Sequence, residues 1–276
     1  MPSTAFRVRA RLHLIAVFAS AMFALAACGK PPINYQEASV DVLYEDALAD
    51  LNDKQYITAA AKFAEVERQH PYSAWARRAI LMSAYSNYMA NHYSDAILAT
   101  ERFIGLHPGN KDVPYAYYLK AICYYEQITD IGRDQKMTED ALNALEELVR
   151  RFPTTEYARD ARLKIDMTKD HLAGKELAIG RYYERRREYV AAINRFRNVI
   201  VNYQTTSHVP EALHRLTETY LAMGVKQEAQ TAAAVLGYNF PGSEWYQDSY
   251  DLLTENKLKP AEDKGSWISK AWHAVF

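Results

Sequence analysis

The stretch Tyr56-Ile-Thr-Ala-Ala-Ala-Lys-Phe-Ala-Glu-Val-Glu-Arg-Gln-His-Pro71 decides how the chain folds. Ala59 is followed four residues later by the bulky Phe63 and twelve later by Pro71. That is one helix face, closed by a residue that cannot continue a helix. The pattern returns as Ala96, Thr100, Pro108; as Ala141, Leu145, Pro153; as Ala192, Phe196, Gln204; and as Ala229, Ala233, Pro241. The closing slots lie 37, 45, 51 and 37 residues apart, close to the roughly 34-residue tetratricopeptide period plus insertions. Ala47, Ala84 and Gly180 each precede their motif alanine by twelve residues, as Ala121 does once an eight-residue insertion is allowed for. Thr217 takes that place in the fifth unit. Only a small side chain there lets two helices approach closely. The expected fold is all-α, a tetratricopeptide-repeat superhelical solenoid of five helix-pair units. Such an array offers a curved surface for other polypeptides rather than an enzyme-like pocket.

The irregular spacings carry information of their own. The third unit is lengthened around residues 128–137, and fourteen extra residues fall within 155–174. Ala158, Ala161, Leu163, Ile165 and Met167 predict that the latter form an extended first helix, not a loop. That helix would join an N-terminal block of three units (residues 41–154) to a C-terminal block of two (155–256), followed by an amphipathic or flexible tail (257–276).

Residues 1–27 read as an export signal. Arg7, Arg9 and Arg11 precede an apolar core over 14–24, too short for a spanning helix of about 20 residues. The core ends in Leu25-Ala26-Ala27-Cys28, the spacing of a lipoprotein cleavage box, so Cys28 is expected to carry lipid and residues 28–40 to form a tether. Gly29, where an aspartate would retain the protein at the inner membrane, points to the outer membrane. Cys123 is then left without a disulfide partner, inside an apolar helix where a buried, inert thiol is expected.

Composition narrows the function classes. Without Arg7, Arg9 and Arg11, the 33 basic residues fall to 30 against 34 acidic ones, so no basic excess points to nucleic acid. No nucleophile–base motif, phosphate loop or metal-ligand spacing occurs, so neither catalysis nor a cofactor is expected beyond the lipid on Cys28. His70 and His107 occupy the same helix-end slot as Phe152, Tyr203 and Phe240, which explains them without a metal.

Two surfaces stand out. The register places Tyr44 and Leu48 of unit one on the groove-facing side of the first helices. Arg78, Leu81, Tyr85 and Tyr88 of unit two join them, as do Tyr115, Tyr118 and Tyr125 of unit three. Six of the 21 tyrosines thus share one face. They either pack between helices or offer rigid, amphipathic area to an extended peptide. In unit four, Arg181, Arg185, Arg186, Arg187, Arg195 and Arg197 form either a solvated face or a docking site for an acidic partner. Trp267, Ile268, Ala271, Trp272 and Val275 share a stripe in the tail, suited to docking on the array or on a partner more than to a membrane.

Leu172-Ala-Gly-Lys-Glu-Leu-Ala-Ile-Gly-Arg-Tyr-Tyr183, Tyr189-Val-Ala-Ala-Ile-Asn-Arg-Phe196 and Ala234-Val-Leu-Gly-Tyr-Asn-Phe-Pro-Gly-Ser243 resemble the BamD family, also called ComL. The resemblance implies a periplasm-facing outer-membrane lipoprotein of the complex that folds and inserts β-barrel proteins. It implies N-terminal repeats that engage targeting peptides of unfolded barrel substrates. It also implies C-terminal repeats that dock the POTRA domains of BamA, with Arg195 as a contact. Gln204 departs from the expected proline, so a different exit from that helix is expected. A different envelope repeat lipoprotein, such as a pilus or secretin assembly factor, is the alternative.

Overall fold

The structure, a computed structural model, describes residues 37–274. The export signal, Cys28 and the tether up to residue 36 lie outside the described residues. The chain divides between Ala38 and Ser39, and every helix described belongs to the second unit. Unit one is α1 (Val40–Asn52) and α2 (Tyr56–Gln69); unit two is α3 (Ala74–Met89) and α4 (Tyr93–Leu106). Unit three is α5 (Val113–Tyr125) and α6 (Lys136–Arg151); unit four is α7 (Glu156–Arg185) and α8 (Tyr189–Asn202). Unit five is α9 (Val209–Ala222) and α10 (Lys226–Asn239), and α11 (Glu244–Glu255) and α12 (Trp267–His273) follow. The array is a tetratricopeptide-type solenoid. Each helix from α1 to α10 packs on the next, and successive first helices also lie close, whereas second helices of neighbouring units lie farther apart, with long side chains such as Arg102 reaching across to Glu67 at 2.6 Å. The first helices therefore form the inner, closer layer.

The repeat pattern is a packing pattern. All five motif alanines and the partners Phe63, Thr100, Leu145, Phe196 and Ala233 are fully buried. Gly180 shows what the small slot does: a Cβ there would lie 2.3 Å from the Phe196 ring, closer than any carbon contact tolerates. The turn after the first helix recurs too, with positive φ at Lys54, Asn91, Arg187 and Gly224. Lys257 after α11 has it as well, which marks α11 as the first helix of an incomplete sixth unit. Seven residues before that turn, where the complete units carry Ala47, Ala84, Gly180 and Thr217, stands Tyr250. It is 40% exposed because no second helix closes onto it.

Every second helix of the five units leaves through one geometry. His70, His107, Phe152, Tyr203 and Phe240 have φ near −130° and ψ of 40–56°. Gln204 therefore does not change the helix exit, contrary to the expectation from its sequence. Its role is different: the buried side-chain amide donates to the Ala271 carbonyl of α12 at 2.8 Å, a bond that proline could not make.

The tail docks on the array. Residues after α11 run along α10, where Gln230 donates to the Lys259 carbonyl at 2.7 Å and the Asp263 amide donates to Thr231 Oγ1 at 3.1 Å. Helix α12 then packs against both α8 and α10, bridging the two second helices. Ile268 and Trp272 are buried there, and the Trp272 ring meets Phe240 edge-on at 5.9 Å. One continuous core thus runs from Ala173 to Trp272, while the earlier units hold four smaller clusters.

Candidate functional site

The inner layer has two chemistries. In the N-terminal units, rings join successive first helices. Tyr44 of α1 lies 4.7 Å from Trp75 of α3, and Arg78 caps that tryptophan at 5.7 Å. Tyr44 also meets Phe63 edge-on at 5.3 Å, and Leu48 packs on the same cluster. Further along, Tyr85, Tyr88 and Tyr115 pack against one cluster that includes Cys123. Burial pushes the Cys123 thiol up to about 12, so it stays protonated at neutral pH. Tyr118 lies 5.2 Å from Tyr157 of α7 and donates to Asp160 Oδ2 at 2.7 Å. Tyr125 sits under Lys164 at 5.6 Å and reaches Met167 Sδ at 3.6 Å.

These contacts sort the groove residues. Leu81 is core, only 8% exposed and clustered with Ile80, Phe103, Val113 and Ala116; its register turns it between helices rather than onto the inner wall. Tyr115 is a packing residue as well, and burial raises its hydroxyl well above the ordinary tyrosine value. Tyr44, Tyr85, Tyr88, Tyr118 and Tyr125 are half-buried, with one edge on the inner wall, and Arg78 is exposed. Sequence reasoning missed Trp75, Tyr157, Asp160 and Lys164. A signal existed for two of them, because Tyr115–Tyr157, Tyr118–Asp160 and Tyr125–Met167 are all pairs 42 residues apart. The long α7 thus continues the ring-bearing wall in a fixed register.

Between α7 and α9, charges replace rings. Arg215 of α9 reaches Glu218 at 2.7 Å, Glu211 at 3.4 Å and Glu184 of α7 at 3.8 Å. Arg181 reaches Glu211 at 3.0 Å, and Thr219 donates to Glu184 at 2.8 Å. Burial raises the Glu184 carboxyl above its ordinary value. His214 is buried against Ser249 at 2.9 Å and Trp245 at 5.3 Å, and that burial lowers its pKa.

The unit-four arginines are not one bare basic face. Arg181 faces inward to Glu211, and Arg186 holds Glu188 at 2.7 Å. Arg197 stacks on Trp267 of the tail at 4.8 Å. Arg195 on α8 bonds Glu176 of α7 at 3.2 Å with its side chain 41% exposed. Such a half-exposed pair is worth about 0–1 kcal/mol, so exchanging Glu176 for another carboxylate costs little. Among the described residues no cluster of histidine, cysteine and carboxylate side chains could hold a metal ion. Nor, among them, is any helix long and apolar enough to cross a membrane.

Comparison with known proteins gives a consistent set of relatives. The family model described as outer membrane lipoprotein, YfiO, matches residues 36–236. The outer membrane protein assembly factor BamD of Caulobacter vibrioides is 53% identical over 93% of this chain and 85% of its own. The BamD of Rickettsia prowazekii is 46% identical over 78% of this chain and 86% of its own. That of Neisseria meningitidis serogroup A is 35% identical over 75% and 82%.

Proposed function

This chain belongs to the BamD family of outer membrane lipoproteins, and from that premise we propose that it is a non-enzymatic scaffold in β-barrel protein assembly. It works as a subunit of the Bam complex on the periplasmic face of the outer membrane. The observation that carries the reading is that the family match spans both inner-wall chemistries and the Arg195 face.

In this reading the N-terminal inner wall receives extended targeting peptides of unfolded barrel substrates. The half-buried edges of Tyr85, Tyr88, Tyr118 and Tyr125 offer flat apolar area with hydroxyl tips, and Trp75 under Arg78 offers the same with a cation. Aromatic side chains of a peptide stack on such surfaces at little conformational cost. Arg195 docks a carboxylate of the BamA POTRA domains by displacing Glu176. A lipid on Cys28 holds the array at the membrane, with two or three acyl chains contributing about 0.8 kcal/mol per buried methylene. Neither binding face needs a cofactor.

Depletion of the protein, followed by quantification of folded barrel proteins in the outer membrane, tests the reading. Barrel levels are expected to fall sharply. Normal levels after depletion overturn it.

A further inference from the structure

Helix α8 carries asparagine at positions 194, 198 and 202, four residues apart on one stripe. Asparagine is among the poorer helix formers, because its amide competes for the backbone. No other second helix of the array has amides at all three equivalent positions; α2, for example, has Ala61, Glu65 and Gln69. The stripe is not a packing device. Asn194 and Asn202 are exposed, and Asn202 donates to Asn198. Together with Glu176, Tyr183 and Arg195 the three asparagines line an open depression of about 480 Å³ between α7 and α8. At 3.6 residues per turn, Arg195 and Arg197 fall on opposite flanks of the stripe. Arg197 is fixed there by Trp267 and Arg195 by Glu176.

We propose that this asparagine ladder is a docking strip for the exposed backbone edge of a β-strand in a folded partner domain, with a partner carboxylate seated on Arg195. Each amide both donates and accepts, which matches the alternating N–H and C=O groups of an unpaired strand edge. Residues four apart on a helix recur about every 6 Å, and same-side residues of a strand recur about every 6.6–6.8 Å. Over three amides the mismatch is about 1–2 Å, within the reach of the side chains. The two flanking guanidiniums make the strip complementary to an acidic edge. The depression is lined mostly by polar groups, with Ala191 and Val201 as its aliphatic members, so it suits a preformed sheet edge more than the bulky side chains of an unfolded chain. The inference rests on the reading of the Arg195 face as the BamA docking site.

The experiment measures binding of the full-length protein to full-length BamA in detergent, for wild type, the triple variant Asn194→Ala/Asn198→Ala/Asn202→Ala, and Arg195→Glu. Alanine is the better helix former, so the triple variant should melt no lower than wild type, and Asn198→Ala alone serves as a milder second variant. The expected result is at least a tenfold loss of BamA affinity in the triple variant, a smaller loss in Asn198→Ala, and a loss in Arg195→Glu. Triple-variant affinity within twofold of wild type, with Arg195→Glu impaired, overturns the ladder and leaves the docking face intact. Unchanged affinity in Arg195→Glu removes the docking face and the ladder with it. A triple variant that loses affinity for an unfolded barrel-protein peptide while keeping BamA overturns the assignment to a folded strand edge.

Discussion

Between α1 and the first half of α7 the first helices meet through rings; between the second half of α7 and α9 they meet through ion pairs, and α9 meets α11 where His214 and Arg215 pack on Trp245. The same repeat supports both because the motif alanines and the small slots fix only the packing within a helix pair. What one unit presents to the next is left free. Rings such as Tyr44 on Trp75, or Tyr118 on Tyr157, join units while keeping apolar edges on the inner wall. The Arg215–Glu184–Glu211–Glu218 network turns the same wall polar. The cores differ in the same sense. Four small clusters serve the first units, and one continuous core, sealed by α12, serves the last two. Under the proposed function, a segmented core would let units adjust to a variable peptide, whereas a sealed one would hold a fixed face toward a fixed partner.

The largest expected effect tests that difference in cores. Phe63→Ala and Phe196→Ala each remove a fully buried ring and should each cost about 3–5 kcal/mol. Hydrogen-exchange mass spectrometry should find the Phe63→Ala loss of protection confined to α1–α3, and the Phe196→Ala loss extending to α12. Spread of the Phe63→Ala effect into α9 would break the comparison.

Next is the seal itself. Gln204→Pro restores the sequence of the other units but removes the bond to Ala271. A lost buried hydrogen bond costs about 1–3 kcal/mol. Limited proteolysis should then release the tail, with α8 unchanged by circular dichroism.

The polar wall should respond to mild acid through His214. His214 has a lowered pKa in the folded state because of burial, even though Glu218 at 3.3 Å favours its charged form. The unfolded chain therefore binds more protons. Its contribution to stability is present above the ordinary histidine value near 6.5 and is lost as pH falls through the lower folded value. Glu184 acts oppositely: its raised pKa favours the folded state as it protonates. Thermal melts of His214→Asn should show a flatter decline than wild type on acidification below about pH 6.5. An identical decline in the two proteins would remove His214 from the account.

The smallest effect is on the ring wall. Tyr118→Phe deletes one hydrogen bond to Asp160 and should cost about 1 kcal/mol while leaving the ring in place. In the proposed function the flat face does the binding, so peptide binding is expected to persist. Loss of binding in Tyr118→Phe would move recognition from the ring to the hydroxyl.

Much of this architecture was legible from the chain, for physical reasons. Helix pairs need a small residue where they cross and a stop where they turn, so Ala59, Gly180 and the proline slots could be read directly. Helical periodicity likewise exposed the extended α7. What could not be read were contacts made across units. Arg181 finds Glu211 thirty residues on, and neither residue type nor spacing marks the pair. Gln204 looked like a defect because its partner, the Ala271 carbonyl, is a backbone atom 67 residues away. The inner wall was read by register, which placed most of its tyrosines but carried Leu81 one step too far, into the core.

The central claim is a division of labour between the two walls, and a crossed binding experiment tests it most directly. Affinities for an unfolded barrel-protein C-terminal peptide and for BamA are measured on full-length protein carrying either Tyr85→Ala/Tyr118→Ala or Arg195→Glu. The account predicts that the tyrosine variant loses peptide affinity by tenfold or more and keeps BamA, while the arginine variant does the reverse. If either variant impairs both ligands equally, or if the tyrosine variant binds peptide as wild type does, the division is contradicted.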